Sequence, residues 1–194
     1  SPAQEEVDTL REFLNNGGKW FGLHGTNALI EFVGEMQIVD GIEIPGKTDT
    51  PNKNPELMKL LGSRFIAHPP NMTIKVKVND KSNPITKDLE DFEIFDEPYY
   101  CEFSDGIKIL LESRYTDDAD AYVSSSWKED IPRPHMYLHK VGKGSVLYLM
   151  LGHCRGKYDM RPFMDECTVD RGGWESEVFY ELLRRCIKWG INKL

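Results

Sequence analysis

The chain has no excess of positive charge. Of its 194 residues, 24 are basic and 32 acidic, a formal net charge of −8. That balance argues against nonspecific binding to nucleic acid or to an anionic membrane surface. No apolar run approaches the roughly 20 residues that a membrane-spanning helix requires. The opening Ser1-Pro2-Ala3-Gln4 carries neither a basic n-region nor an apolar h-region. No signal peptide is visible, although a mature secreted chain would read the same way. Cysteine is sparse: Cys101, Cys154, Cys167 and Cys186 stand far apart, with no CxxC pair. A disulfide-stapled scaffold is not supported, and a reduced, cytoplasmic protein is the plainer reading. There is no internal repeat and no low-complexity segment. What remains is 40% hydrophobic and 29% charged, the composition of one ordinary globular domain with length enough for a real core.

One stretch organises the rest: Gly17-Gly18-Lys19-Trp20-Phe21-Gly22-Leu23-His24-Gly25-Thr26. Two glycines stop a helix, a short apolar run follows, and Gly-x-His-Gly-Thr reads as a strand ending in a tight turn. A side chain at such a strand-to-helix elbow projects from the carboxyl edge of an open α/β sheet, where ligands bind. The apex residue is His24, in the place where hydrolases with a comparable elbow carry Ser or Cys.

The rest of the chain is punctuated clearly. Val7, Leu10, Phe13 and Leu14 at helical spacing predict a helix over 3–15, with Ser1 as N-cap and Pro2 at the first helical position. A well-capped helix leading straight to a central strand suggests that further strands precede Ser1. A strand is expected over 19–24 and a short apolar helix over 27–33. Residues 40–56, with Gly41, Pro45, Gly46, Pro51 and Pro55, predict a long surface loop, a lid or mere decoration. A helix opens at Pro55 and ends at Gly62. Met72, Ile74, Val76 and Val78 alternate with polar residues, so 72–78 is a strand with one solvated face. Further strands are expected around 92–95 and 107–111. Residues 136–138 and 145–151 flank Lys140-Val141-Gly142-Lys143-Gly144 as a β-hairpin. Its second strand is apolar almost throughout and should be buried on both faces. A last helix over 174–189 buries Val178, Phe179, Leu182, Leu183, Cys186 and Ile187. Phe21, Leu23, Val146, Tyr148 and Leu149 are expected on central strands.

In order and spacing, several motifs together resemble the ThuA-like (trehalose utilisation) proteins. They are the stretch 17–26, His68-Pro69, Asn83-Pro84-Ile85-Thr86, Asp96-Glu97-Pro98-Tyr99, Gly142-Lys143-Gly144-x-Val146-x-Tyr148, Gly152-His153 and Trp189-Gly190. The resemblance spans the chain apart from 40–56 and 155–173. It implies a class I glutamine amidotransferase-like fold: an α/β three-layer sandwich, flavodoxin-like, with a mostly parallel sheet. Residues 1–194 would then be a single ThuA-like domain lacking its N-terminal strands. Two positions depart from the family. Asn83 stands where a His usually precedes Pro-Ile-Thr, and Cys154 where an Asp usually follows Gly-His. Both are expected near the site. His24 replaces the elbow Cys of true amidotransferases, which closes the thioester route to glutamine hydrolysis from that position.

The candidate catalytic residues are His24, His153 and Glu97; the candidate substrate-binding residues are His68, Asp96, Tyr99 and Thr26. Imidazole titrates near neutrality and serves as acid, base or metal ligand. His153 ends an apolar strand after Gly152, the place in chain order of the amidotransferase triad histidine. Asp96-Glu97 closes another apolar run. Neighbours on a strand point oppositely, so one carboxylate should face the pocket and the other hold backbone or solvent. Each residue also has a plainer reading: His24 and His68 as parts of rigid turns, His153 as a strand-end residue satisfied by backbone, Asp96-Glu97 as a turn or cap. Cys154 reads as a buried thiol rather than a nucleophile. His135 and His139 read as hairpin surface, and Trp20 and Trp127 as packing. Three histidines and a carboxylate are also a donor set for a divalent metal. No HxxH or HxH spacing marks one, so the cofactor stays open.

The resemblance implies carbohydrate metabolism in a bacterial cytoplasm. The reaction expected is acid/base isomerisation or glycosidic bond cleavage of a keto-sugar or trehalose-type disaccharide. The partner is then a small sugar, with no nucleic acid and no membrane, and with homo-oligomer formation open. The alternative is a non-catalytic sugar-binding or partner-binding module on the same fold.

Overall fold

The computed structural model describes residues 1–39, 42–44 and 46–194. In chain order the elements are α1 (Gln4–Asn15), β1 (Lys19–Leu23), β2 (Glu31–Val33), β3 (Gln37–Val39), β4 (Ile42–Ile44) and β5 (Lys47–Asp49). Then follow α2 (Pro55–Leu61), β6 (Ser63–Ala67), β7 (Met72–Val78), β8 (Phe92–Asp96), β9 (Tyr100–Phe103), β10 (Lys108–Ser113), β11 (Arg133–Val141), β12 (Gly144–Leu149) and α3 (Glu177–Gly190). Short 3₁₀ turns lie at His24–Asn27 and Gly172–Glu175.

Local chemistry explains many of the boundaries. Asn54 caps α2 by accepting from the Leu57 N–H, Pro55 supplies its preset φ, and Gly62 ends the helix at φ 86°. The α1 cap differs from expectation. Ala3 is the N-cap, and the Glu6 carboxylate reaches back 2.8 Å to its N–H. Residues 31–33 form a strand paired with β5, not the end of a helix. Short antiparallel pairs also occupy much of the expected 40–56 loop; Gly41 and Pro45 of that stretch lie outside the described residues. α3 starts three residues later than expected, and Ile187 is exposed rather than buried.

The main sheet has the order β1-β12-β11-β10-β7-β8. Only β1 and β12 run parallel; the other four pairings are antiparallel. The sheet is therefore mixed, and the mostly parallel arrangement is not what this chain forms. The hairpin β11–β12 is the reason, since a glycine turn returns the chain at once and forces antiparallel pairing. β12 lies inside the sheet, but β1, with Phe21 and Leu23, is an edge strand among the described residues.

Two cores flank β12. Val146, Tyr148 and Met150 face a cluster with Val7 and Leu14 of α1, Leu57 and Leu61 of α2, and Phe65 of β6. Leu147, Leu149 and Leu151 face Phe179, Leu182 and Cys186 of α3, joined by Ile74, Val76 and Ile94 of the β7–β8 hairpin. Helices on both faces make a layered α/β fold. β10 and β7 share only two register pairs, which lets the β7–β8 hairpin curl over the second core. That curl brings the end of β8 back beside the end of β12.

His135 corrects a surface expectation. It is fully buried on β11, and neither ring nitrogen has a hydrogen-bond partner among the described residues. Burial pushes its pKa down to about 4. In the unfolded chain it titrates near 6.5, so the unfolded state gains the proton first as pH falls. Its contribution is therefore complete above pH 6.5 and is lost between there and about pH 4, a penalty of roughly 3 kcal/mol in total. Urea denaturation should show His135→Leu losing much less stability than wild type on going from pH 7 to pH 4.5. Equal losses would place the acid sensitivity elsewhere.

Candidate functional site

β1, β12 and β8 point the same way through the alternating sheet, and each ends in a site residue. His24 follows β1, Gly152-His153 follows β12, and Asp96-Glu97 closes β8. His68 comes from the end of β6, and Tyr99 from the short link between β8 and β9.

At the elbow, the positive φ falls on His24 itself, at 45°, not on Gly22 or Gly25. That conformation is costly for a residue with a side chain and persists only when its surroundings hold it. Tyr148 does so from below. Its hydroxyl donates to the His24 carbonyl at 2.6 Å and accepts from the Asn27 N–H at 2.8 Å. Gly22 serves this arrangement: a Cβ there would meet the Tyr148 ring at 2.6 Å. The His24 ring is fixed at both ends, with Nδ1 2.9 Å from the Met150 carbonyl and Nε2 2.8 Å from the Tyr99 hydroxyl.

Asp96 and Glu97 divide their work. Asp96 is fully buried and accepts four backbone N–H groups: Glu97 at 2.7 Å, Gly152 at 2.9 Å, His153 at 3.0 Å and Gly173 at 3.1 Å. Burial pushes its carboxyl up, against the amides that favour the ion. Asp96 therefore builds the site rather than meeting a substrate. Glu97 faces inward. Its Oε2 is 3.3 Å from His24 Nε2, and its Oε1 is 3.2 Å from both His68 Nε2 and His153 Nδ1. Burial alone would raise its pKa. Polar contact with His153 and His24, with the charge of His68 added, outweighs burial and holds the carboxyl well below the usual range.

The imidazoles differ from one another. Burial lowers the pKa of His68 despite Glu97 beside it, and its Nδ1 contacts the Pro69 carbonyl at 2.7 Å. Contact with Glu97 raises that of His153, against its burial. The His24 and His153 rings are 5.7 Å apart between centroids. The three histidine side chains keep 14–24% of their surface exposed and Glu97 10%, so the carboxylate lies beneath rings that solvent can reach. Burial holds Tyr99 a neutral phenol, its pKa raised well above the usual value.

His24, His68, Asp96, Glu97, Tyr99 and His153 thus converge. Thr26 does not: its hydroxyl donates to the Leu23 carbonyl at 2.6 Å, and the residue borders a separate groove between α1 and β1. Asn83 is also remote. It accepts from the Ile85 N–H and lines a cleft with Lys19 and Trp189, on the side of β1 opposite His24. Cys154 adjoins His153 but is exposed, not a buried thiol. Trp127 stacks on Tyr100 at 4.5 Å, as packing requires.

The sequence reading missed Asp170, Gly172 and Gly173. Asp170 accepts from Asn71 Nδ2 at 2.6 Å and from the Gly172 N–H at 3.0 Å, and approaches His153 Nε2 at 3.6 Å. A Cβ at Gly173 would meet Asp96 Oδ2 at 2.4 Å, and one at Gly172 the His153 carbonyl at 2.7 Å. The signal was the pair of glycines just before the start of α3.

A match to the ThuA family, described as trehalose utilisation, covers residues 44–168, about two thirds of the chain. The chain belongs to the ThuA family. The matched segment carries His68, Asp96, Glu97, Tyr99 and His153, while His24 precedes it. A ThuA-like protein from Bacteroides uniformis is similar in structure, with TM-score 0.63 at 19% identity over 100% of this chain and 66% of that one. A ThuA-like protein from Parabacteroides merdae gives 0.59 at 18% identity over 98% and 66%. This ThuA chain therefore spans about two thirds of the length of both. A cold-adapted beta-galactosidase from Rahnella sp. R3 gives 0.51 at 12% identity over 98% of this chain and 21% of that one. These likenesses show the fold. No curated protein matches the chain. Among the described residues no helix is long and apolar enough to cross a membrane.

If Asp96 builds the site, its loss should appear as stability before it appears as function. Asp96→Asn removes the charge and turns an amide donor toward backbone donors, at a cost of roughly 2–4 kcal/mol. Gly173→Ala should destabilise in the same direction by displacing the carboxylate. Melting temperatures of both variants within a degree of wild type would contradict this role.

Proposed function

We propose that this ThuA chain acts on an oxidised, keto-bearing sugar of the trehalose type, in the cytoplasm, by moving a proton at the carbon beside the carbonyl. Isomerisation and elimination of the glycosidic bond are the two outcomes of that step. A ring carbonyl acidifies its neighbouring C–H bonds, so the reaction needs a base, a donor for the oxygen and little else. The observation that carries this reading is a single ionised carboxylate, Glu97, ringed by His24, His68 and His153 at 3.2–3.3 Å with a neutral phenol, Tyr99, on His24. His24, His153 and Glu97 are the groups placed to meet the carbonyl; His68 and Tyr99 border them. The sheet, with its ligand site at strand ends, suits descent from the flavodoxin-like, amidotransferase-like architecture, with the elbow cysteine replaced by imidazole.

The second reading is a binding module without catalysis. Cys154, exposed beside His153, favours it as a departure from the family pattern. Asn83 lends it nothing, lying away from the cluster.

Incubation with 3-keto-disaccharides, with and without added divalent cations and followed by chromatography, separates the two. Turnover is expected, and His24→Ala should lower kcat/KM at least about 100-fold with a nearly unchanged melting temperature. Binding without turnover under every condition would favour the module. Neither binding nor turnover would remove the sugar reading.

A further inference from the structure

We infer that His24, Glu97 and His153 form a site for one divalent transition-metal cation, whose open positions take the carbonyl and a neighbouring hydroxyl oxygen of a sugar. The sugar half rests on the keto-sugar reading above, with the three side chains meeting the carbonyl through the cation instead of directly; the metal half stands on geometry. One ligand atom from each of the three residues lies within 4.8 Å of the other two. His24 Nε2 is 3.3 Å from Glu97 Oε2, and His153 Nδ1 is 3.2 Å from Oε1. These contacts are longer than the about 2.7–2.9 Å of a charge-assisted N–H···O bond. They fit the edge of a coordination sphere: with metal–ligand bonds of about 2.0–2.2 Å, neighbouring donors sit about 3.0–3.5 Å apart.

The tautomers agree. The Met150 carbonyl, 2.9 Å from His24 Nδ1, can only accept, so Nδ1 carries the proton and Nε2 presents its lone pair. On His153 the far nitrogen, Nε2, is buried, faces the Asp170 carboxylate at 3.6 Å and has no hydrogen-bond partner among the described residues. A proton there leaves the Nδ1 lone pair toward Glu97. With both rings neutral, two nitrogens face one carboxylate at 3.2–3.3 Å, and a cation between them takes the place of the protons that otherwise link these rings to Glu97. Tyr99 lies 2.8 Å from the same His24 nitrogen; its phenol donates there in the metal-free protein and yields that nitrogen to the cation.

Outer contacts complete the pattern. Met150 holds His24, Asp170 faces His153, and Asn71 with the Gly172 amide holds Asp170. Ligand histidines are oriented by oxygen acceptors on the far nitrogen; Met150 does this for His24 at 2.9 Å, and Asp170 stands 3.6 Å from His153 Nε2, in place to do so on a small shift. Two imidazoles and a carboxylate suit zinc, cobalt, iron or manganese rather than calcium or magnesium. Three protein ligands leave positions open, as catalytic sites do and structural sites do not.

The test titrates the metal-stripped full chain with Co(II) and Zn(II), without sugar, by calorimetry and visible absorption. We expect one cation per chain and a Co(II) ligand-field band. Glu97→Gln and His153→Asn should each weaken binding at least about 100-fold and Asp170→Asn about 10-fold. Cys154→Ser and His139→Gln should leave it unchanged. Folding of each variant is checked by circular dichroism. Should one fail to fold, the wild-type chain still decides: Co(II) should shift the imidazole ¹⁵N signals of His24 and His153 and spare those of His135 and His139. No stoichiometric binding overturns the inference. So does binding that survives both ligand substitutions or falls with Cys154→Ser. Metal binding without any sugar binding would leave the metal site standing and remove the keto-sugar reading. Turnover by the metal-free chain at full rate would leave the keto-sugar reading standing and overturn the seating of the sugar on the cation.

Discussion

The Asp96 carboxylate is the constraint on which the rest depends. Its two oxygens accept N–H groups from its own successor, from Gly152 and His153 after β12, and from Gly173 before α3. Three segments far apart in sequence are thereby fixed to one point at the sheet's end. Four converging amides resemble the nests that bind free anions, except that the anion here is part of the chain. Once Asp96 is held, the adjacent Glu97 has to leave in another direction, and it points among the histidines. The site is a consequence of how β8 ends.

That arrangement also explains the curl of the sheet. Strands β8 and β12 are four places apart in the sheet order, yet their ends share hydrogen bonds. A flat sheet of that order would hold them roughly 19 Å apart at the usual strand spacing. The short pairing of β10 with β7 releases the β7–β8 hairpin, and the apolar face of that hairpin closes over Phe179 and Leu182. Burial of apolar surface thus drives the closure, and the buried carboxylate gives it a single register. Desolvating Asp96 is costly, so the pocket must supply every one of its donors.

Legibility in the sequence followed how local each cause is. The α2 boundaries were readable because Pro55 and Gly62 act on their own turns. The hairpin around Gly142 and Gly144 was readable because those glycines set its turn, although its first strand begins at Arg133, before the expected 136. His24 and His153 stood out as polar residues at the ends of apolar runs, and adjacency on a strand separated Asp96 from Glu97. The antiparallel majority of the sheet was not readable, since strand direction depends on pairings between distant segments. β2 looked helical because its three residues pair with β5, and short apolar runs carry no period of their own. His135 looked like surface because alternation along β11 fails where both faces are covered. Asp170 and Gly173 acquire meaning only when the curl brings Asp96 to them.

The elbow shows why histidine can stand where a smaller nucleophile would. A nucleophile elbow presents a short side chain from a strained turn, and its reacting atom lies close to the backbone. An imidazole at the same apex reaches farther, and it carries two nitrogens that must both be accounted for. Here the Met150 carbonyl takes one, which leaves the other aimed at Glu97 and Tyr99. The turn is secured from beneath by Tyr148, whose ring needs the space of Gly22. Phe21-Gly22-Leu23-His24 is therefore a single device. The glycine admits a buried phenol, the phenol holds a costly backbone, and that backbone fixes which nitrogen of His24 meets the cluster. Replacing Gly22 by any larger residue would disturb His24 without touching it, because a Cβ there would displace the Tyr148 ring whose hydroxyl holds the His24 carbonyl.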